Sequence, residues 1–166
     1  DVLGGAWVER IMNYSRPDDL PIYSYKDELV KGRTEVYFWG TPASGKTCTL
    51  GAIFSRAFSK GTLRPRGGAV DYLDSLKNIF KKDGVSRLPN STSNTCIYDM
   101  QVDIIDKNSR KHPVTMIDLA GEIFKCIYYD SLGKLNEDDE RKKILDTTFG
   151  YLTNRKNKKI MFFVVE

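Results

Sequence analysis

The chain has one histidine, His112, and three cysteines, Cys48, Cys96 and Cys126. So few of either exclude the chemistry that needs several. No histidine-rich metal centre can be assembled from them. Three cysteines without paired or metal-type spacing make no disulfide framework, and an odd number suits a reducing compartment. A cytoplasmic location is therefore expected. No apolar run approaches the roughly 18 residues of a membrane span, and no signal peptide is visible. Internal repeats and low-complexity tracts are missing as well.

What remains is the composition of one globular domain. Forty per cent of the 166 residues are hydrophobic and 29% are charged, enough apolar material to bury a proper core. The net charge of +4 is mild but unevenly spread. Lys60, Arg64, Arg66, Lys77, Lys81, Lys82 and Arg87 fall in one stretch, and Arg155-Lys156-Asn157-Lys158-Lys159 in another. Neither cluster carries interleaved aromatics, so both read as solvated loops and nucleic acid is not the expected partner. His112 lies by an expected turn and reads as solvated.

The strongest positive signal is Gly40-Thr41-Pro42-Ala43-Ser44-Gly45-Lys46-Thr47, which satisfies G-x-x-x-x-G-K-[ST] at every fixed position. Val36-Tyr37-Phe38-Trp39 before it is the continuous apolar run of a buried parallel strand. After it, Leu50, Ile53, Phe54, Ala57 and Phe58 recur with helical spacing. Strand, glycine-bounded loop and helix occur in the order a phosphate cradle requires. Backbone N–H groups of such a loop converge on phosphate oxygens, reinforced by the helix N-terminus. Gly40 and Gly45 would permit the sharp turn, Lys46 would reach the β- and γ-phosphates, and the Thr47 hydroxyl would ligate Mg2+.

A second motif follows another apolar strand. Val114-Thr115-Met116-Ile117 delivers Asp118-Leu119-Ala120-Gly121-Glu122 at its end. A carboxylate placed there, beside the phosphate loop, would hold Mg2+ directly or through water. The D-x-x-G spacing would let the Gly121 N–H sense a γ-phosphate. Upstream, Tyr98, Met100, Val102 and Ile104 alternate with Asp99, Gln101 and Asp103, which predicts a half-buried strand. The polar run 106–111 is short enough to make the two strands an antiparallel hairpin.

On these motifs and their order the chain resembles the P-loop GTPases of the Ras-like and translation-factor class. The resemblance implies an α/β, three-layer P-loop fold: a mostly parallel sheet with one antiparallel hairpin. It also implies Mg2+ and GTP or GDP as cofactors, with ATP as the alternative nucleotide. The phosphate-binding set is then Gly40, Pro42, Ala43, Ser44, Gly45, Lys46, Thr47 and Cys48, with Gly121. Thr47, Asp118 and Thr95 become the metal-side residues, Thr95 or Thr92 supplying the threonine of the loop before the second strand. Cys48 otherwise reads as a small helix residue. Lys46 and Glu122 become the catalytic pair, Glu122 standing where the family usually has a water-orienting glutamine. A carboxylate there puts efficient hydrolysis in doubt. The guanine-reading motif N/T-K-x-D is absent from the chain.

Ile160-Met161-Phe162-Phe163-Val164-Val165 reads as a fourth strand of this domain. Under the resemblance the sheet is incomplete at its C-terminal side, leaving an apolar edge. The chain is then a G-domain fragment of a larger, bacterial-type multidomain protein, with the remainder of the parent as a partner. Residues 1–33 are expected to form an N-terminal helix, with Trp7, Val8, Ile11 and Met12 on one face, and a linker broken by Pro17 and Pro21. The domain proper spans 34–166.

Two insertions enlarge it. One, from 61 to 91, carries an expected helix with Leu73, Leu76, Ile79 and Phe80 on one face, and its Arg64, Arg66 and Arg87 are candidate arginine fingers. The other holds a helix over 122–129 and a second with Asn136 as N-cap and Ile144, Leu145, Thr148, Phe149 and Leu152 inward. Such enlarged regions are places for a protein effector. The expected function is guanine-nucleotide binding with slow hydrolysis, as a switch or assembly module. A P-loop ATPase or small-molecule kinase is one alternative, and a degenerate, non-hydrolysing interaction module is the other.

Overall fold

The computed structural model of the chain describes residues 29–74 and 97–165. Its strands are β1 (Thr34–Trp39), β2 (Leu63–Pro65), β3 (Ile97–Ile105), β4 (Lys111–Leu119) and β5 (Lys158–Phe163). The helices are α1 (Lys46–Ser59), α2 (Ile123–Ser131) and α3 (Glu140–Thr153), with a further helical stretch over 69–74. The strands form one mixed sheet in the order β2-β3-β4-β1-β5. β1 runs parallel to both β4 and β5, while β3 is antiparallel to β4 and to β2. The sheet is thus half parallel by pairing, because the short β2, which periodicity did not reveal, adds a second antiparallel ladder. Three residues are too few to show a period.

Alternation along β1 divides the interior in two. Phe38 points into a core with Leu50 and Phe54 of α1, Leu63 of β2, and Tyr72 from the helical stretch. Tyr37 and Trp39 point the other way, against Ile123 of α2 and Ile144, Leu145 and Tyr151 of α3. Helices therefore cover both faces, as the near-continuous apolar run of β1 anticipates. Phe58, at the far end of the expected α1 stripe, is exposed instead.

The hairpin forms where the sequence places it. Asp106 closes the turn: its Oδ1 accepts from Asn108 N at 2.8 Å and from Arg110 N at 2.9 Å. His112 stands exposed beside it, Nε2 3.0 Å from Asp106 Oδ2. β3 is not half-buried, however. Asp99 and Asp103 are covered along with the apolar face. Asp103 is paired by Arg66, whose Nε donates to Oδ2 at 2.7 Å, and this pairing holds its carboxyl below the usual range. Neutralised by an arginine, a carboxylate can sit where alternation predicts a solvent face.

The α3 N-cap is Asp139 rather than Asn136, with Oδ1 accepting from Arg141 N at 2.9 Å. The acidic run 137–140 offers several competing caps, and the one adjoining the first buried turn prevails. Tyr151 takes the inward position expected of Phe149, which is exposed. At the base of the sheet, Asn157 gathers the incoming chain: Oδ1 accepts from Gly32 N at 2.8 Å, and Nδ2 donates to Val30 O at 2.9 Å. Leu29 is buried in the second core, so the end of the expected linker packs on the domain. The expected N-terminal helix and the residues Leu76, Ile79, Phe80, Arg87, Thr92, Thr95 and Cys96 lie outside the described residues.

Candidate functional site

β1 ends at Trp39 and α1 begins at Lys46, so the loop between them sits at the carboxyl end of a central parallel strand. That is where open α/β sheets place their ligands. Two loop residues take left-handed backbone, Ala43 at φ 64° and Gly45 at φ 82°. Alternating handedness of this sort turns consecutive N–H groups to one side and forms an anion-binding concavity. Gly45 caps α1 with no side-chain hydrogen bond, and the first turn has no acidic residue. A helix start of this kind, without an acidic side chain of its own, favours an anion.

The other two glycines are required by close approach. A Cβ on Gly40 would lie 2.5 Å from Ser44 Oγ and 2.6 Å from Val164 O. One on Gly121 would lie 2.3 Å from Pro42 N. The D-x-x-G segment therefore packs backbone to backbone on the phosphate-type loop, although some 80 residues separate the two motifs in the chain. The motif order puts Gly121 near the loop, and the structure adds the backbone contact with Pro42.

The charged residues are buried around the loop. Lys46 turns back over it, Nζ donating to Gly40 O at 2.9 Å and Thr41 O at 2.8 Å. Burial lowers the pKa of its ammonium, against the pull of the Asp118 and Glu122 carboxylates. Asp118 is fully buried on β4, between Phe38 of β1 and Tyr98 of β3 in register. Its Oδ2 accepts from Thr47 Oγ1 at 3.1 Å. A hydroxyl that gives its proton to a carboxylate keeps its lone pairs for a cation. Glu122 precedes α2 as its N-cap residue without a side-chain capping bond. Among the described residues, Ser44 Oγ and Glu122 Oε2 are buried with no hydrogen-bond partner.

The structure thus brings together Gly40, Pro42, Ala43, Ser44, Gly45, Lys46, Thr47, Asp118, Gly121 and Glu122. Cys48, one residue into α1 beyond Thr47, is a free thiol whose pKa burial pushes up, the inert direction for redox chemistry. Thr95 lies outside the described residues. Arg66 is committed to Asp103, five residues along β3 from the position opposite Asp118, about 17 Å at strand spacing. That removes it as an arginine finger in this conformation. Arg64 stands opposite Asp103 in the β2–β3 register, at the same remote end. One site residue escaped the sequence reading altogether: Tyr72 donates from its hydroxyl to Asp118 Oδ2 at 3.3 Å. Its only signal was an apolar spacing with Ala69 and Leu73, which reads as core.

No group of three or more His, Cys, Asp or Glu side chains among the described residues is arranged to hold a metal ion. One hydroxyl and one carboxylate instead suit a hard cation that shares its shell with water and ligand oxygens, as Mg2+ does. Among the described residues no helix is long and apolar enough to cross a membrane. The chain matches no protein-family model, no curated protein and no solved structure.

Proposed function

We propose that this chain binds a guanine nucleoside triphosphate with Mg2+ at the 40–47 loop and hydrolyses it slowly. The observation that carries this reading is the N-terminus of α1, approached through two left-handed residues and free of acidic side chains in its first turn, with Lys46, Thr47 and Asp118 buried around it. Anions are the ligands such a terminus accepts, and a triphosphate would add counter-charge beside Lys46 and offset the cost of its burial. Ser44 Oγ, buried and unpartnered, gains an acceptor or donor in the same event.

A three-layer P-loop fold of Ras-like type belongs to the same proposal. Its support is the β3–β4 hairpin beside β1, with β4 and β5 flanking β1 in parallel. The hairpin and the D-x-x-G spacing favour guanine over adenine. Bound Mg2+ would neutralise charge on the β- and γ-phosphates. The chain's own part is positional: loop amides and Lys46 hold the phosphates, Thr47 and Asp118 face the metal, and Gly121 packs on the loop at Pro42. Glu122 orients water, and the repulsion between its carboxylate and a polyanion keeps turnover slow. The exposed Phe124 and Tyr128 on α2, directly after the γ-phosphate segment, are where a protein effector or the rest of a larger parent would read the nucleotide state.

Titration calorimetry with Mg2+ and GTP, GDP or ATP tests the reading, with Lys46→Ala as control. Guanine-selective binding lost in the variant supports it. Preference for ATP moves the chain to the ATPase class, and no binding by the folded chain makes the loop an interaction scaffold. Glu122→Ala is expected to lower turnover by about 10²-fold or more at unchanged GTP affinity.

A further inference from the structure

Tyr72 reaches the site from outside both motifs. It sits in the helical stretch over 69–74, its side chain fully buried with Phe38, Leu50, Phe54 and Met100. Its ring packs on Tyr98 at 5.5 Å between centroids, and Tyr98 is the residue opposite Asp118 in the β3–β4 register. A phenylalanine would fill this space equally well. A buried hydroxyl is costly unless it is bonded, and this one is aimed at the Asp118 carboxylate.

We propose that Tyr72 is a positioning residue for Asp118, and that through it the 63–74 segment sets how readily the site takes Mg2+ with a triphosphate. The inference rests on the nucleotide-binding reading above and deepens it. Tyr72 and Thr47 donate to the same oxygen, Oδ2, from two different elements. Two donors converging on one oxygen from different elements restrict the carboxylate's torsion. At 3.3 Å the tyrosine contact is long for a hydroxyl–carboxylate bond. A small outward movement of the segment that carries Tyr72 would therefore break it.

That segment is tethered at a distance from the phosphates. β2 pairs Leu63 with Ile104 and Pro65 with Val102. Arg66 N then donates to Gln101 O at 2.9 Å, and the Arg66 side chain grips Asp103. A turn through Gly67, at φ 52°, starts the helical stretch, with Tyr72 N donating to Gly68 O at 3.1 Å. A phenol is a proton donor at physiological pH, so the Tyr72 hydroxyl faces the carboxylate as its donor. Anything that pulls on the remote tether reaches Asp118 through this hydroxyl.

The test is a fluorescence titration of the 166-residue chain with a non-hydrolysable methylanthraniloyl-GTP analogue, across a MgCl2 series and in EDTA. Tyr72→Phe is expected to raise the Mg2+ midpoint about tenfold, the worth of a bond to a charged group. Affinity in EDTA should stay within about twofold. In an Asp118→Asn background, Tyr72→Phe should add no further shift. Arg66→Ala, which loosens the tether without touching the site, should move the midpoint the same way by about two- to threefold. An unshifted midpoint in Tyr72→Phe overturns the proposal, as does an equal loss with and without Mg2+. If circular dichroism finds Tyr72→Phe unfolded, the Arg66→Ala midpoint decides, and no shift there overturns it. A wild-type chain that binds no triphosphate at any Mg2+ concentration removes the nucleotide reading and this inference together. A binding wild type with unresponsive variants removes the inference alone.

Discussion

β1 and β5 are neighbours, run parallel, and both announce themselves as apolar runs, yet they meet opposite fates. In β1 the three residues Tyr37, Phe38 and Trp39 are buried by β4 on one side, β5 on the other, and helices on both faces. Among the described residues, β5 has a partner strand on one side only, and Ile160, Met161, Phe162 and Phe163 are all 40–63% exposed. Contact between the two strands is close: Phe38 and Phe162 lie 5.3 Å apart, and Trp39 Nε1 donates to Met161 Sδ at 3.2 Å. The difference lies in what stands beyond. A hydrophobic run specifies a strand, while its burial depends on how many neighbours the topology supplies. The phosphate-type loop grows from the strand with neighbours on every side, which is the one able to hold it rigidly.

The sharpest challenge to this contrast is the same substitution made on both strands. Phe38→Ala should cost about 3–5 kcal/mol in urea denaturation, as expected for a fully packed core aromatic. Phe162→Ala, at 43% exposure, should cost about 1 kcal/mol. Equal costs would mean that β5 is covered in solution. The seam between the strands comes next. Lys159 Nζ donates to Glu35 Oε2 at 2.8 Å, and Tyr37 OH and Asn157 Nδ2 bind the same buried carboxylate. Lys159→Met should cost about 3 kcal/mol by leaving that charge without its cation, whereas an exposed ion pair would cost almost nothing.

Gly121→Ala probes the loop side of the comparison. With backbone 2.3 Å from the new Cβ, the D-x-x-G segment must separate from Pro42, at about 1–3 kcal/mol and with GTP binding lost in calorimetry. The smallest effect is a pH dependence away from both strands. Arg141's side chain and backbone N–H hold Asp139 down to about 2. A depressed carboxyl stabilises above the ordinary aspartate range near 4 and loses that contribution as pH falls through its folded value. The advantage of wild type over Asp139→Asn in α3 helicity, followed by circular dichroism, should therefore fade between about pH 4 and 2.

The readable parts of this fold were those with a local physical signature. The hairpin was legible because Asp106 both ends an alternating run and closes its own turn. The 40–47 loop was legible because glycine, lysine and threonine at fixed spacing have few other uses together. β2 was not, since three residues show no period. Asp99 and Asp103 misled the reading of β3, because alternation registers polarity and cannot see the arginine that neutralises Asp103. Tyr72 was hidden for a related reason: an aromatic at helical spacing looks like core, and only its hydroxyl distinguishes the role.

By itself, then, the sequence pointed to β1, the β3–β4 hairpin, β5 and the helices α1 to α3, though not to β2, and it offered a candidate set of phosphate-facing residues. Those properties depend on backbone preference and on side-chain chemistry over a few positions, so they survive without knowledge of the fold. Tertiary structure alone decided that Gly121 rests on Pro42, that Tyr72 and Thr47 meet on one oxygen of Asp118, and that β5 rather than β1 stands at the edge. Each of those facts joins residues far apart in the chain. They are fixed by how the sheet orders its strands, and no local pattern encodes that order.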